Sequence, residues 1–239
     1  MRAPLSKRKR TAKDDSRHAS RRVIRSFRIN LLKWYAINRR DFPWRRTSTS
    51  QYVRVVSEVL LQRTRAETVA AFFPSFIRHF PSWKALASAS EVELQSFLKP
   101  IGLWRRRAAS LSSLASAMAK RNGRFPHGRM KIETLPNVGQ YIANAILLFS
   151  RGECLPLLDT NMARVLERHF GPRTKADIRY DEHLQELSRQ VVQGPNPRLA
   201  NWAILDLAAK VCTVRNPRCK HCPVLPTCKR FGLQQSAMQ

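Results

Sequence analysis

Four of the five cysteines crowd into one short stretch, and thiols spaced in this way can hold a metal. Cys212, Cys219, Cys222 and Cys228 lie within 17 residues, in the order Cys-x6-Cys-x2-Cys-x5-Cys. Four thiolates held so close repel one another unless a cation neutralises them, and both zinc and a [4Fe-4S] cluster accept four sulfur ligands. Zinc modules usually contain two short Cys pairs, whereas this stretch contains one. The spacing therefore favours an iron-sulfur cluster, with zinc as the alternative; structural cysteines without a metal would have no reason to bunch in a basic loop.

A second candidate ligand site is the sequence LPNVG at residues 135–139, which precedes the apolar and periodic segment YIANAILLF. This order predicts a tight turn that leads into a helix. Backbone N–H groups at such a turn and at the helix N-terminus bind anions such as phosphate. The same sequence also fits an ordinary connector between two helices, so the turn alone does not decide between these interpretations.

The charge of the chain indicates a polyanionic partner. Lys and Arg number 44 against 16 Asp and Glu, which gives a formal net charge of +28. Such an imbalance favours nucleic acid, and a hydrophobic content of 43% is high for a ribosomal protein. The first residues lack the apolar core of a secretory signal, and no stretch reaches the roughly 18 apolar residues that a transmembrane helix needs. We expect a cytoplasmic, DNA-associated protein with no membrane partner.

The elements that position these residues are predicted to be short α-helices. From Val23 onward apolar residues recur three and four positions apart, strand-like alternation is nearly absent, and Gly, Pro and Asn separate the segments. Residues 1–22 are dense in Lys, Arg, Ser and Thr and predict a disordered basic arm. Between residues 52 and 81 the pattern predicts two helices with Pro74 near their boundary. The predicted fold class is all-α.

The hairpin, an aspartate 18 residues after Tyr141 and the cysteine spacing together resemble the helix-hairpin-helix DNA glycosylases of the endonuclease III superfamily. FPWRRT and SEVLLQRTRAETV are similar to stretches of its adenine and mismatch thymine glycosylase branches. The resemblance covers roughly residues 23–232. It implies two helical domains with the active site in the cleft between them: a six-helix domain with the hairpin at 43–153, and an iron-sulfur domain at 23–42 and 154–232, with an arm at 1–22 and a tail at 233–239.

The resemblance implies catalytic roles for two acids. Asp159, in LLDTN, matches the family's essential aspartate, whose carboxylate stabilises the positive charge that develops on the sugar during glycosidic cleavage. Asp159 also suits the N-cap of the following helix, and the two roles are compatible. Glu58, in VSEVLLQ, matches the branch that uses a glutamate to protonate the base or its leaving group. Apolar neighbours would raise its proton affinity, although a solvated position on the helix fits the sequence equally well.

Other residues gain roles from the same resemblance. Tyr141 stands where bifunctional members carry a nucleophilic lysine, and without an amine no Schiff base forms with the deoxyribose, so we expect a monofunctional enzyme. Gln62 and Arg63 fall where relatives insert a residue into the gap that the flipped base leaves.

The hairpin residues Asn137, Val138, Gly139 and Gln140 are implied to bind the DNA backbone. The hairpin of this family usually reads Leu-Pro-Gly-Val-Gly, and here Asn137 replaces the first glycine. Asn tolerates a positive φ better than other non-glycine residues, so we expect the turn to persist.

The function that the resemblance implies is monofunctional DNA glycosylase activity in base excision repair, by a monomer that acts on double-stranded DNA with water as its sole cosubstrate. Arg63 and the expected absence of a further C-terminal domain favour thymine or uracil opposite guanine as the target. The alternatives are adenine opposite 8-oxoguanine or guanine, another modified base, including one in foreign DNA, and a noncatalytic DNA-binding relative.

Overall fold

The computed structural model describes residues 19–236; residues 1–18 and 237–239, and the side chains of residues 234–236, lie outside the description. Residues 1–18 of the predicted arm and residues 237–239 of the predicted tail therefore lie outside the described residues. Within residues 19–236 every regular element is helical and no strand occurs, which confirms the all-α prediction. The helices are α1 Arg21–Asn38, α2 Gln51–Leu61, α3 Ala66–His79, α4 Trp83–Ser88, α5 Glu91–Leu98, α6 Trp104–Ala119, α7 Arg129–Glu133, α8 Gln140–Arg151, α9 Thr160–Phe170, α10 Glu182–Val192, α11 Pro197–Lys210 and α12 Lys229–Ser236. None of these helices is both long and apolar enough to cross a lipid bilayer.

The chain divides into two compact units. One, here called the hairpin unit, consists of residues 39–157 and 194–198 and contains α2 to α8. The other, here called the cysteine unit, takes the remainder of the chain, with α1, α9, α10, most of α11 and α12.

The hairpin unit is built on one continuous apolar core, to which each of its helices contributes at least one buried side chain. α2 begins at the cap of Ser50, whose Oγ accepts a hydrogen bond from Val53 N at 3.3 Å. Its residues from Tyr52 to Leu60 are almost all buried, because α2 packs against α3 on one side and α8 on another. A helix buried over most of its circumference holds its side chains in fixed positions.

Pro74 does not mark a helix boundary, so that prediction was wrong. It lies inside α3, and the break between α2 and α3 falls at residues 62–65 instead. A proline within a helix costs about 3 kcal/mol, but Phe73, Phe76 and Phe80 are each buried to 2% exposure or less, and burying one such ring contributes about 1.5–3 kcal/mol. Packing of the three rings outweighs the lost backbone hydrogen bond.

The cysteine unit is held by apolar contacts of α1 with the helices that follow Asp159. α1 begins at Arg21, two residues before the predicted start, and buries Phe27 against Phe170 and His169 with ring centroids 5.2 and 4.7 Å apart. Burial lowers the pKa of His169 to about 4, so this ring is neutral at physiological pH.

Asp181 fixes the segment between α9 and α10. It is fully buried, and its carboxylate accepts hydrogen bonds from Lys175 N at 2.6 Å, from Leu184 N at 2.7 Å and from both the amide and hydroxyl of Thr174. Burial alone would raise the pKa of Asp181, but these donors lower it to about 2. The carboxylate therefore serves as the cap of α10 and as an anchor for the preceding loop.

Candidate active site

Glu58 and Tyr141 form a buried polar pair inside the hairpin unit. Glu58 lies on α2 and is only 4% exposed, and Tyr141 lies in the first turn of α8 and is half-buried. The Tyr141 hydroxyl donates a hydrogen bond to Glu58 Oε2 at 2.8 Å. Of the two positions that the sequence left open for Glu58, the structure shows the buried one.

The pair exists because α2 and α8 pack against each other along their apolar faces. Val55, Val59 and Leu60 on α2 and Ile142 and Ala145 on α8 are buried. The Glu58 carboxyl group is therefore poorly solvated and held in a fixed position. The tyrosine hydroxyl fixes the orientation of the carboxyl group, and it offers no amine to a sugar aldehyde.

Asp159 is the N-cap of α9, as its position in the sequence predicts. Its Oδ1 accepts hydrogen bonds from Asn161 N at 2.9 Å and Met162 N at 2.8 Å, and its Oδ2 accepts one from Asn161 Nδ2 at 2.8 Å. The half-buried carboxylate is thus held by its own helix while its negative charge lies at the positive end of the helix dipole. It belongs to the cysteine unit, whereas Glu58 and Tyr141 belong to the hairpin unit.

Arg164 connects the Asp159 cap to the cysteine-bearing segment. Its Nη1 donates to Asn161 Oδ1 at 3.0 Å, and its Nε and Nη2 donate to the carbonyls of Cys212 and Ala208 at 3.0 and 3.1 Å. Burial lowers the pKa of Arg164, although its guanidinium still carries its charge beside Asp159. A chain of three hydrogen bonds therefore runs from the carboxylate through Asn161 to the loop that begins at Cys212.

The cysteine loop, residues 211–228, is wound by consecutive short turns. Several of its amides bond the carbonyl three residues earlier, as in Cys222 N to the Cys219 carbonyl at 2.9 Å and Cys228 N to the Leu225 carbonyl at 3.0 Å, and Arg218 N closes a wider turn on the Val211 carbonyl at 2.9 Å. Cys212, Cys219, Cys222 and Cys228 are half-buried free thiols, none of which is in a disulfide. Burial, and to a smaller extent the charges of the other three cysteines, raise the pKa of the Cys222 thiol to about 11.

Arg168 fastens this loop to α9. Its Nη1 donates to the Thr213 carbonyl at 2.6 Å and reaches Cys212 Sγ at 3.5 Å, and the Cys228 thiol donates to the Arg168 carbonyl at 3.4 Å. The side chains in residues 19–236 do not already form a metal-binding group of three or more His, Cys, Asp or Glu. Four free cysteines on one short loop, with a fixed guanidinium at Cys212 Sγ, nevertheless offer the sulfur ligands and the compensating positive charge that suit a metal-thiolate centre.

The hairpin has the geometry that its sequence predicts. α7 ends at Glu133, and Leu135 to Val138 form a turn closed by a hydrogen bond from Val138 N to the Leu135 carbonyl at 3.2 Å. Asn137 adopts a φ of 58°, so the expected positive φ is confirmed. Leu135 and Val138 are buried, which leaves Val138 no side-chain role at the surface, while Asn137 and Gly139 are exposed. A Cβ added to Gly139 would meet nothing within 4 Å, so the entry to α8 is open to an approaching ligand.

Gln62 and Arg63 form the exposed tip of the connection between α2 and α3. Thr64 N bonds the Leu61 carbonyl at 3.1 Å, and Gln62 has φ −56° and ψ 117° while Arg63 has φ 57°. These angles define a type II turn, in which the position of Arg63 is usually occupied by glycine. The turn projects both side chains into solvent from the end of the helix that carries Glu58.

Sequence reasoning missed the two arginines of α9 and one on α6. Arg164 and Arg168 lie one helical turn apart on a helix whose other face is apolar, and this spacing is the signal that could have indicated a shared inward role. Arg107 stands in a run of three arginines that fits a phosphate-facing turn or a charged helix N-terminus equally well, yet it is 5% exposed. Nothing local distinguishes it from its neighbours.

A comparison with families of known proteins identifies the chain. The sequence profile of the "HhH-GPD superfamily base excision DNA repair protein" matches residues 56–190, more than half of the chain. The chain belongs to the HhH-GPD superfamily. The match spans Glu58, the hairpin and Asp159, and it ends before the cysteine loop.

Individual HhH-GPD relatives extend over nearly all of the described residues. A thymine-DNA glycosylase of Aeropyrum pernix is 38% identical over 211 residues, covering 86% of this chain and 94% of the relative. An adenine DNA glycosylase of Mycobacterium tuberculosis is 35% identical over 198 residues, covering 82% of this chain and 64% of the relative. The solved structure of a thermostable thymine-DNA glycosylase superposes with a TM-score of 0.82 at 30% identity, over 90% of this chain and 100% of that one.

These matches confirm the predicted family and, at that level, the predicted class of base-excision DNA glycosylase. The relatives include thymine-DNA and adenine DNA glycosylases, which are the two branches that the sequence resembles. The base that is removed, the roles of the individual residues, the metal centre, the monomeric state and the cellular location stay predictions.

Proposed function

We propose that the protein is a monofunctional DNA glycosylase that hydrolyses the N-glycosidic bond of thymine or uracil opposite guanine in duplex DNA. The observation that carries the proposal is the buried Glu58 carboxyl group, hydrogen-bonded to a tyrosine where bifunctional members have a lysine. The choice of base is supported by the names of relatives such as the Aeropyrum pernix enzyme, which the chain matches over nearly its whole length.

Glu58 and Asp159 divide the proposed reaction between base and sugar. Glu58 donates a proton to the departing base, and Tyr141 keeps the carboxyl group oriented while that proton moves. Asp159 stabilises the cationic sugar, because its carboxylate is fixed by two backbone amides and a side-chain amide and cannot swing away. Water supplies the oxygen that replaces the base on the sugar, and an abasic site remains.

The hairpin and the Gln62–Arg63 turn are proposed to bind the DNA. Asn137, Gly139 and Gln140 offer the exposed start of α8 to a phosphate, with Val138 as the buried anchor of the turn. Gln62 or Arg63 enters the space that the flipped nucleotide leaves, which recovers part of the few kcal/mol that flipping costs. A net charge of +28 supplies the nonspecific attraction to the duplex.

Cys212, Cys219, Cys222 and Cys228 are proposed to hold a [4Fe-4S] cluster, with a single zinc as the alternative. Such a centre would fix the fold of the cysteine loop, and Arg168, already placed at Cys212 Sγ, would offset its negative charge. Purified protein should then be brown and contain about four irons and four sulfides per chain. A colourless protein with one zinc per chain would establish the alternative.

A second candidate substrate is adenine, because the adenine glycosylase of Mycobacterium tuberculosis is 35% identical over 82% of this chain. Single-turnover excision separates the candidates on duplexes with thymine or uracil opposite guanine, adenine opposite guanine or 8-oxoguanine, and several modified cytosines. Strand breaks that require alkali and occur at thymine or uracil support the proposal. Breaks at adenine or at a modified cytosine replace its substrate, and tight binding without breaks on any duplex supports a noncatalytic relative.

The monofunctional assignment has its own test in the variant Tyr141→Lys, with Tyr141→Phe as the matched control. A lysine amine at this position can condense with the abasic aldehyde, so borohydride should trap a covalent protein–DNA adduct with Tyr141→Lys alone. An adduct with the unmodified protein would contradict the monofunctional assignment.

A further inference from the structure

Arg107 is a buried guanidinium that bonds two surface turns at once. From α6 its Nη2 donates to the Gln62 carbonyl at 2.6 Å and to Thr64 Oγ1, and its Nη1 donates to the Ile101 carbonyl at 2.8 Å and to the Gly102 carbonyl. The side chain is 5% exposed. The turns at residues 61–64 and 99–103, here called the first and second turns, are therefore joined through one planar group, which reinforces a longer direct bond between them from Thr64 Oγ1 to the Ile101 carbonyl at 3.5 Å.

Both turns hold backbone conformations that L-residues avoid. Arg63 in the first turn has a φ of 57°, and the second turn has two successive positive values, 71° at Gly102 and 52° at Leu103. A non-glycine residue is strained in this region. The tips are exposed as well, since Arg63 is solvated and the apolar side chain of Leu103 is 49% exposed. Gly102 adopts its positive φ readily, but Arg63 and Leu103 do not, so each turn depends in part on support from elsewhere.

The support that Arg107 gives is costly in its own right. Burial lowers the pKa of its guanidinium, and its Nε is buried without a hydrogen-bond partner among the described residues. Burying an unpaired cation destabilises a protein unless hydrogen bonds compensate, and here the compensating acceptors all belong to the two turns. An apolar side chain of similar length would fill the same space without this cost, but it would leave the turns joined only by the long 3.5 Å bond from Thr64 Oγ1 to the Ile101 carbonyl.

We propose that Arg107 is a positioning residue for base extrusion, which fixes the spacing between the first and second turns so that the Gln62–Arg63 tip is presented to the duplex in one rigid arrangement. The inference rests on the proposed function, because it assigns the Gln62–Arg63 tip to the space left by the flipped nucleotide. The Gln62–Arg63 tip keeps the orientation needed to enter that space only while the Arg107 guanidinium bonds both turns. Lysine, a point donor, cannot bond both turns in this way.

The test compares Arg107→Met and Arg107→Lys with Arg106→Met, which removes one exposed charge from the same helix. Two short duplexes carry uracil. In the first the uracil lies opposite guanine in an intact helix, and in the second it lies inside a short mismatched bubble, where it is already unstacked. Single-turnover rates on the two substrates separate loss of extrusion from loss of chemistry. A second readout is the fluorescence of 2-aminopurine beside the uracil, which rises when the neighbouring base leaves the stack.

Misplacement of a positioning group by about 1 Å can lower a rate by about 100-fold. We therefore expect the single-turnover rate of both Arg107 variants to fall by about 10- to 100-fold on the intact duplex and by less than about threefold on the bubble. The 2-aminopurine signal should rise more slowly in both, while Arg106→Met keeps the wild-type ratio between the two substrates. If Arg107→Met does not fold, as a circular-dichroism melt would show, Arg107→Lys keeps the charge and carries the test.

Equal losses on duplex and bubble would overturn the inference and assign Arg107 a purely structural role. So would a wild-type 2-aminopurine signal in a folded Arg107→Lys protein. Failure of the proposed function looks different, because the unmodified protein would then release uracil from neither substrate.

Discussion

The two roles of Asp159 can be separated by one pair of substitutions. Its Oδ1 accepts from the amides of Asn161 and Met162, and its Oδ2 accepts from the Asn161 side chain. In Asp159→Asn the remaining amide oxygen can keep both backbone bonds, and Asn is as good an N-cap as Asp, so the free energy of unfolding should fall by less than about 1 kcal/mol. For a protein of this size that is a shift in melting temperature of at most about 2–4 °C.

The carboxylate charge, in contrast, disappears completely in Asp159→Asn. Removing one pre-organised group that stabilises charge in a transition state costs about 100- to 1,000-fold in rate, so the single-turnover rate of uracil excision should fall by at least about 100-fold. Asp159→Ala should lose the same rate and in addition about 1–2 kcal/mol of stability, because it lacks the cap. Salt-dependent binding to duplex DNA should persist in both variants.

Asp181→Asn is the matched control, because it alters another aspartate N-cap of the cysteine unit that we place outside catalysis. It should lose stability and retain excision, the reverse of Asp159→Asn. An Asp159→Asn protein that excises uracil at the wild-type rate would refute the catalytic role, and one that melts more than about 10 °C lower would refute the view that the cap survives the substitution.

Three further outcomes follow from the same contacts. Tyr141→Phe removes the 2.8 Å bond to Glu58. Since a hydrogen bond between neutral groups contributes about 0.5–1.5 kcal/mol, single-turnover excision should slow by about 2- to 10-fold, and an unchanged rate would contradict the positioning role. Arg164→Lys keeps the charge but cannot donate at once to Asn161 and to the carbonyls of Ala208 and Cys212. Excision should therefore fall about 10-fold while the Kd for duplex DNA stays the same. A change in the Kd alone would contradict this role of Arg164. The pKa of Asp181 is held at about 2, below its ordinary value of 3.8. The contribution of the carboxylate to stability is therefore complete above about pH 4 and is lost as the pH falls towards about 2. Urea unfolding between about pH 5 and pH 3 should show this loss of stability in the wild type and a smaller loss in Asp181→Asn.

Local features of the site were predictable because local rules decide them. The cap at Asp159 follows from an aspartate directly before an apolar-periodic helix. The positive φ of Asn137 follows from its place after a proline in a tight turn, because Asn tolerates this conformation better than other non-glycine residues. Both depend on the nearest few residues, so the sequence contains all the information that they need.

The pairings were not predictable, because tertiary packing sets them. The 2.8 Å bond joins Tyr141 to Glu58 across 83 residues, and nothing near either residue indicates its partner. The run of arginines at residues 105–107 likewise contains one buried member whose acceptors lie on two distant turns. Pro74 shows the converse case, in which aromatic burial overrides a strong local signal against a helix.

The most direct test of the central claim is to identify the product released from a duplex that contains uracil opposite guanine. After a single turnover without alkali, mass spectrometry should find free uracil and an unbroken strand with one abasic site, and Asp159→Asn and Glu58→Gln should release far less. An unbroken strand with its uracil retained would contradict the assigned substrate, and full release by both variants would contradict the assigned catalytic residues.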